Sequence, residues 1–168
     1  NLPNLDPLLE RPSWDAELRW SVPYMWGSSG ILFNTRRGAP PSAWGDLWQP
    51  TFRGGMTMLD DPAEVFGAAL KKLGLPLNSS GDDLLRQAHQ EALRQKPLLR
   101  AYLNAEVRDQ IVAGDVAVCQ LWATTAQQAI DAAPHLRYIY PSEGFALYAD
   151  CAVVLRESKR SELAHQFI

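Results

Sequence analysis

Gly55-Met56-Thr57-Met58-Leu59-Asp60-Asp61-Pro62-Ala63-Glu64-Val65-Phe66-Gly67-Ala68-Ala69-Leu70-Lys71-Lys72-Leu73-Gly74 reads as a strand running directly into a helix. The run from Gly55 to Leu59 is short and apolar, as a buried strand requires. Asp61 is a good N-cap, Pro62 suits a first helical turn, and Gly74 stands just past Leu73 as a stop. Outward from this unit the same alternation recurs. Val116 to Trp122 reads as a buried strand leading into a helix from Thr124 to Ala133. Leu136 to Tyr140 and Ala146 to Leu155 read as further strands, and Asp82 to Gln95 and Glu106 to Ala113 as helices. Leu18 to Tyr24, interrupted by Pro23, and Gly30 to Asn34 are extended. Asn4 to Glu10 is a turn or short helix, Ser42 to Trp48 a short helix capped by Ser42, and Pro97 to Leu103 a strand. Strands alternating with helices define an α/β fold with a mixed, mostly parallel sheet flanked by helices.

The 168 residues are 46% hydrophobic and 21% charged, which excludes a disordered chain. Apolar runs such as Cys151 to Leu155 fall far short of the roughly 18 residues of a membrane span. A net charge of −3 argues against a sequence-independent nucleic-acid binder. The two cysteines, Cys119 and Cys151, lack metal-finger spacing, and no cofactor or metal motif is present. His89, His135 and His165 read as surface residues. Six tryptophans and 12 prolines are many for this length. Trp20, Trp26, Trp44 and Trp48 fall near Pro23, Pro40, Pro41 and Pro50, where stiff packing around short turns is expected. The first residues show no basic or apolar leader pattern. A helix capped by Ser158 or Ser161 puts Leu163, Ala164, Phe167 and Ile168 on one face, and it has no C-cap. The expectation is a chain cut from a longer one.

Three places carry candidate chemistry. In Asp60-Asp61-Pro62-Ala63-Glu64 the bland reading is capping, with Asp61 as N-cap and Glu64 completing a capping-box-like pair. The functional reading is that acids at the carboxyl end of a strand face a ligand crevice. Both hold together if the cap uses only some of the lone pairs. Trp122 at the end of its strand is either core or a ligand platform. In Tyr148-Ala149-Asp150, strand alternation puts Tyr148 and Asp150 on one face. A carboxylate within an apolar strand wants a cation, because burying it alone costs several kcal/mol. Asp61, Glu64 and Asp150 with Trp122 and Tyr148 would suit an organic polycation: carboxylates for ammonium groups, rings for methylenes and cation–π attraction. A hard metal would not want the aromatic walls. Catalysis by paired carboxylates has no assignable acid or base here.

The ordered set of motifs resembles the periplasmic polyamine-binding proteins, the spermidine/putrescine receptors of ABC transporters. It runs through Asn4-Leu5-Asp6, then Trp20-Ser21-Val22-Pro23-Tyr24-Met25-Trp26-Gly27-Ser28-Ser29-Gly30-Ile31. Trp44-Gly45-Asp46-Leu47-Trp48-Gln49-Pro50 with Gly54-Gly55 follows, then Asp60-Asp61-Pro62-Ala63-Glu64-Val65-Phe66 with Ala69-Leu70 and Leu73-Gly74. Tyr140-Pro141-Ser142-Glu143-Gly144 closes the series. The resemblance implies one lobe of a type II periplasmic binding protein fold, the second lobe only. Its expected parts are an entry segment and hinge-crossing strand at 1–34, a lobe core at 35–155, and at 156–168 the start of a helix leading to another lobe.

The resemblance also implies a non-enzymatic solute receptor located in the periplasm. Its partners would be a polyamine, putrescine or spermidine, and the ABC transporter membrane subunits. The ligand contacts it implies are Asp61, Glu64, Trp122, Tyr148 and Asp150, with Tyr148 standing at a tryptophan position of spermidine receptors. Half a cleft is expected to bind weakly, and the face of the absent lobe leaves self-association open. The alternative is a ligand-free lobe acting as an interaction or regulatory module. If Trp122 and Asp150 face the cleft, Cys119 and Cys151 face away from it; a bridge and two free thiols are both open.

Overall fold

The computed structural model describes residues 5–168; Asn4, at the head of one quoted motif, lies outside them. The chain divides into two compact units, Ser28–Leu147 and a second made of 1–27 with 148–168.

The first unit is a helix-flanked sheet. Strand β1 (Val22–Asn34) enters it; β2 (Met56–Met58), β3 (Ala101–Tyr102), β4 (Val118–Trp122) and β5 (Leu136–Ile139) follow in the spatial order β3-β2-β4-β1-β5. Both neighbours of β2 run parallel to it, and both β4 and β5 run antiparallel to β1. The sheet is therefore mixed, and β1 supplies its antiparallel ladders.

Alternation sorts the core onto the two faces. Ile31, Phe33, Met56, Met58 and Val118 pack on one face with Val65 and Ala68 of helix α1 (Pro62–Lys72) and Ala92 of α2 (Asp82–Gln95). Leu32, Cys119 and Leu121 pack on the other with Ile111 of α3 (Val107–Ala113) and Ala126 and Ala129 of α4 (Ala123–Ala132). Lys72 joins α1 to α2 through a 2.5 Å bond to the buried Glu91, which Arg94 also pairs, and its ammonium lies over the Trp48 ring.

The end of the unit returns to its beginning. Ser29 N–H donates to Ala146 carbonyl at 3.2 Å. The Glu143 carboxylate accepts the N–H groups of Trp44 and Gly45 at 2.8 and 3.0 Å, and the Trp44 indole donates to Gly144 carbonyl.

Several boundaries differ from expectation. The expected stretches Leu18–Tyr24 and Gly30–Asn34 join in one strand that begins only at Val22, with Pro23 tolerated near its start. The turn at Trp44–Trp48 is 3₁₀ and begins after Ala43. Ser42 is not its cap: the Asp46 carboxylate, inside the turn, accepts the N–H groups of Ser42 and Ala43. Lys96–Leu98 forms a 3₁₀ turn, leaving only Ala101–Tyr102 as strand, because Pro97 fixes φ and offers no ladder donor.

In the second unit, β6 (Leu147–Ala152) pairs with β1, and α5 (Ser161–Phe167) follows. The Asp15 carboxylate accepts three N–H groups, from Arg19, Trp20 and Ser21, which hold its pKa below the usual value. A groove of about 1060 Å³ is lined by Leu9, Leu18, Trp20, Val153 and Phe167, among others. Trp20 and Trp26 are 78% and 66% exposed, so only Trp44 and Trp48 of the expected tryptophan cluster are packed. Both cysteines are free thiols, and burial of Cys119 pushes its thiol well above the normal range.

Gly30 is required by close packing. A Cβ there would lie 2.8 Å from Ile139 carbonyl oxygen and from the Tyr138 ring. Gly30→Ala is expected to lose about 1–3 kcal/mol, read as a lower urea midpoint with an unchanged slope.

Candidate functional site

The carboxyl ends of β2 and β4 and the middle of β1 meet at the first turn of α1. β2 is followed by Leu59 and Asp60, whose N–H donates to Asn104 Oδ1 at 3.2 Å. Asp61 caps α1: its Oδ1 accepts from Ala63 N–H at 2.8 Å and from Glu64 N–H at 3.4 Å. Both bonds fall on one oxygen, which leaves Oδ2 outside the cap.

Glu64 does not complete a capping box. Its Oε2 instead accepts the Ser29 hydroxyl at 2.6 Å. Ser29 is buried on β1, directly opposite Trp122 in the β1–β4 ladder. The Trp122 side chain, half-buried at the end of β4, lies near enough to the Glu64 carboxylate to favour its charged form. Gln120 fixes the backbone beneath: its Nε2 donates to Glu64 carbonyl at 3.0 Å, and its Oε1 accepts Leu59 N–H at 3.4 Å. This one buried amide ties β2, β4 and α1 together.

Burial raises the Glu64 pKa, the bond from Ser29 opposes that, the nearby Asp61 charge adds to it, and the nearby Trp122 side chain opposes it; the balance is upward. Among the described residues no lysine, arginine or histidine forms an ion pair with Asp61 or Glu64. Nor is any group of three or more His, Cys, Asp or Glu placed to hold a metal.

The structure thus brings Asp61, Glu64 and Trp122 together. Tyr148 and Asp150 belong to the second unit. There the Tyr148 ring occupies the space a Cβ on Gly27 would take, within 2.5–2.9 Å of that position. Asp150 is exposed, so the penalty of burying an unpaired charge does not arise for it. Of the histidines, His89 and His165 are exposed and His135 is half-buried. Ser29 and Gln120 were not among the expected site residues. Their one signal is polarity inside otherwise apolar strands, in Ser29-Gly30-Ile31-Leu32-Phe33 and Val118-Cys119-Gln120-Leu121.

This arrangement of sheet, capped helix and acidic edge belongs to a solute-binding fold. The chain is a member of the bacterial extracellular solute-binding protein family, whose model matches residues 1–168. It is 32% identical over 169 residues, 99% of this chain, to the spermidine/putrescine-binding periplasmic protein 1 of Haemophilus influenzae, covering 47% of that protein. It is 29% identical to the spermidine/putrescine-binding periplasmic protein of Escherichia coli over all of this chain and 49% of that one. A solved structure, a putative spermidine/putrescine ABC transporter protein from Listeria monocytogenes, superposes with a TM-score of 0.91 at 27% identity. The match covers 99% of this chain and 53% of that one. The chain spans about half the length of the relatives it matches. Among its described residues no helix is long and apolar enough to cross a membrane.

The raised Glu64 pKa gives a signed prediction. The fold favours the protonated carboxyl, so this contribution to stability is complete below the ordinary value of 4.5 and is lost as pH rises through the raised one. Glu64→Gln stays neutral throughout. Its stability relative to the parent, from urea unfolding, is therefore expected to improve from acidic to neutral pH; a difference that does not change with pH would contradict this.

Proposed function

We propose that the chain is a partial solute receptor whose Ser28–Leu147 unit supplies half of a polyamine site, as part of an ABC uptake system acting in the periplasm. The observation that carries this reading is the pair Asp61 and Glu64 beside Trp122, with no cation among the described residues in an ion pair with either acid. Two half-buried carboxylates at a strand-to-helix edge draw an organic cation, and the indole supplies an apolar face for its methylenes. The names of the relatives support the same ligand class: spermidine, putrescine, cadaverine and agmatine occur among them. Tyr148 and Asp150 are carried as ligand contacts by the resemblance alone. So are the boundaries 1–34, 35–155 and 156–168 of an entry strand, lobe core and departing helix.

Receptors of this kind trap ligand between two lobes. One lobe leaves the ammonium groups in water, where each ion pair contributes only about 0–1 kcal/mol. The isolated chain is expected to bind spermidine or putrescine at about millimolar Kd. Calorimetric titration checks it, and submicromolar binding by the monomer would refute half-site binding. Asparagine caps a helix as well as aspartate does, so Asp61→Asn removes charge and keeps α1. Combined with Asp150→Asn it is expected to abolish binding; unchanged binding would favour the alternative, a lobe serving as an interaction module.

A further inference from the structure

The chain leaves the sheet at Leu59, just past the end of β2, and turns through Asp60 and Asp61 into α1. Leu59 is fully buried, so its N–H cannot turn to water and needs an acceptor in the protein. Gln120 Oε1 accepts it at 3.4 Å, reaching across from β4. The Nε2 of the same side chain donates to the Glu64 carbonyl, in the first turn of α1, at 3.0 Å. Gln120 is 1% exposed and lies opposite Ile31, on the sheet face that α1 covers. An amide has a donor end and an acceptor end, and here they grip the two sides of one turn. Leu59 precedes the acids and Glu64 is the last of them, so one side chain brackets the segment 59–64. An apolar side chain of the same length would fill the space and leave both backbone groups without this partner.

We propose that Gln120 is a positioning residue for the ligand: by holding Leu59 N–H and the Glu64 carbonyl at once, it fixes where the turn presents the Asp61 and Glu64 carboxylates. This rests on the polyamine reading of the site and adds a residue that reaches the ligand only through the turn. The cap at Asp61 Oδ1 orients that acid relative to α1, not relative to the sheet. Val65 and Ala68 press α1 onto the sheet through apolar contacts, which are non-directional. The hydrogen bonds of Gln120 are directional and tie the first turn to β4 at one place.

The test compares the parent with Gln120→Met, whose side chain is of similar length, apolar and adaptable. Urea unfolding reads stability, NMR titration with putrescine reads the affinity of the folded protein, and carboxyl-carbon NMR reads the titration of Glu64. The variant is expected to show a lower urea midpoint, because two buried backbone groups lose a partner. Once folded, it is expected to bind putrescine about threefold more weakly, the order of one exposed ion pair. Its Glu64 is expected to titrate nearer the ordinary 4.5, as the loosened turn lets the carboxyl reach water. A merely structural role would lower the midpoint alone, with the folded variant binding and titrating like the parent; that overturns the inference and leaves the polyamine reading standing. Absence of putrescine binding by the parent rejects that reading and the inference with it. Should Gln120→Met not fold, the parent decides: the Gln120 side-chain amide signals are expected to shift on putrescine addition together with the backbone amides of 61–64. No shift of the Gln120 signals while those amides move overturns the inference.

Discussion

A carboxylate that is half removed from water must find a donor, and at Glu64 it comes from the sheet. The Ser29 hydroxyl on β1 reaches it, and β1 is held to β4 in one register, Ser29 opposite Trp122. A slip by one residue would turn both side chains to the other face. The same register puts Ile31 and Phe33 against α1 and α2, and Leu32 and Cys119 against α3 and α4. The acidic edge and the core are therefore fixed by one ladder.

Asp61 shows how a structural demand and the proposed ligand role can share a residue. The start of α1 has N–H groups without intrahelical partners, and one oxygen of Asp61 satisfies two of them. The helix dipole favours negative charge at this end, which lowers the cost of keeping two acids close together. The acids sit at the carboxyl end of parallel strands, where open α/β sheets present their ligand crevices.

Local chemistry was legible in the sequence. Asp61, Pro62 and Gly74 delimit α1, and Gly114 in the left-handed conformation closes α3, because caps and stops depend on residues a few positions apart. Asp82 to Gln95 was read to the residue. The role of Ser29 was not legible, since it depends on β1 lying beside β4, far apart along the chain. The expected capping box at Glu64 failed for the same reason: a distant hydroxyl competed for the carboxylate and won. Trp20 and Trp26 look like core residues by type, yet are largely exposed; side-chain type does not reveal what faces a strand.

The hydrogen bond from Ser29 to Ala146 lies almost at the two points where the chain enters and leaves the Ser28–Leu147 unit. Topologically that unit is an insertion within the other one, whose two parts are separated by its whole length. Once the inserted unit has formed, its ends are already adjacent, and the outer parts no longer bear the loop-closure entropy of a long flexible connection.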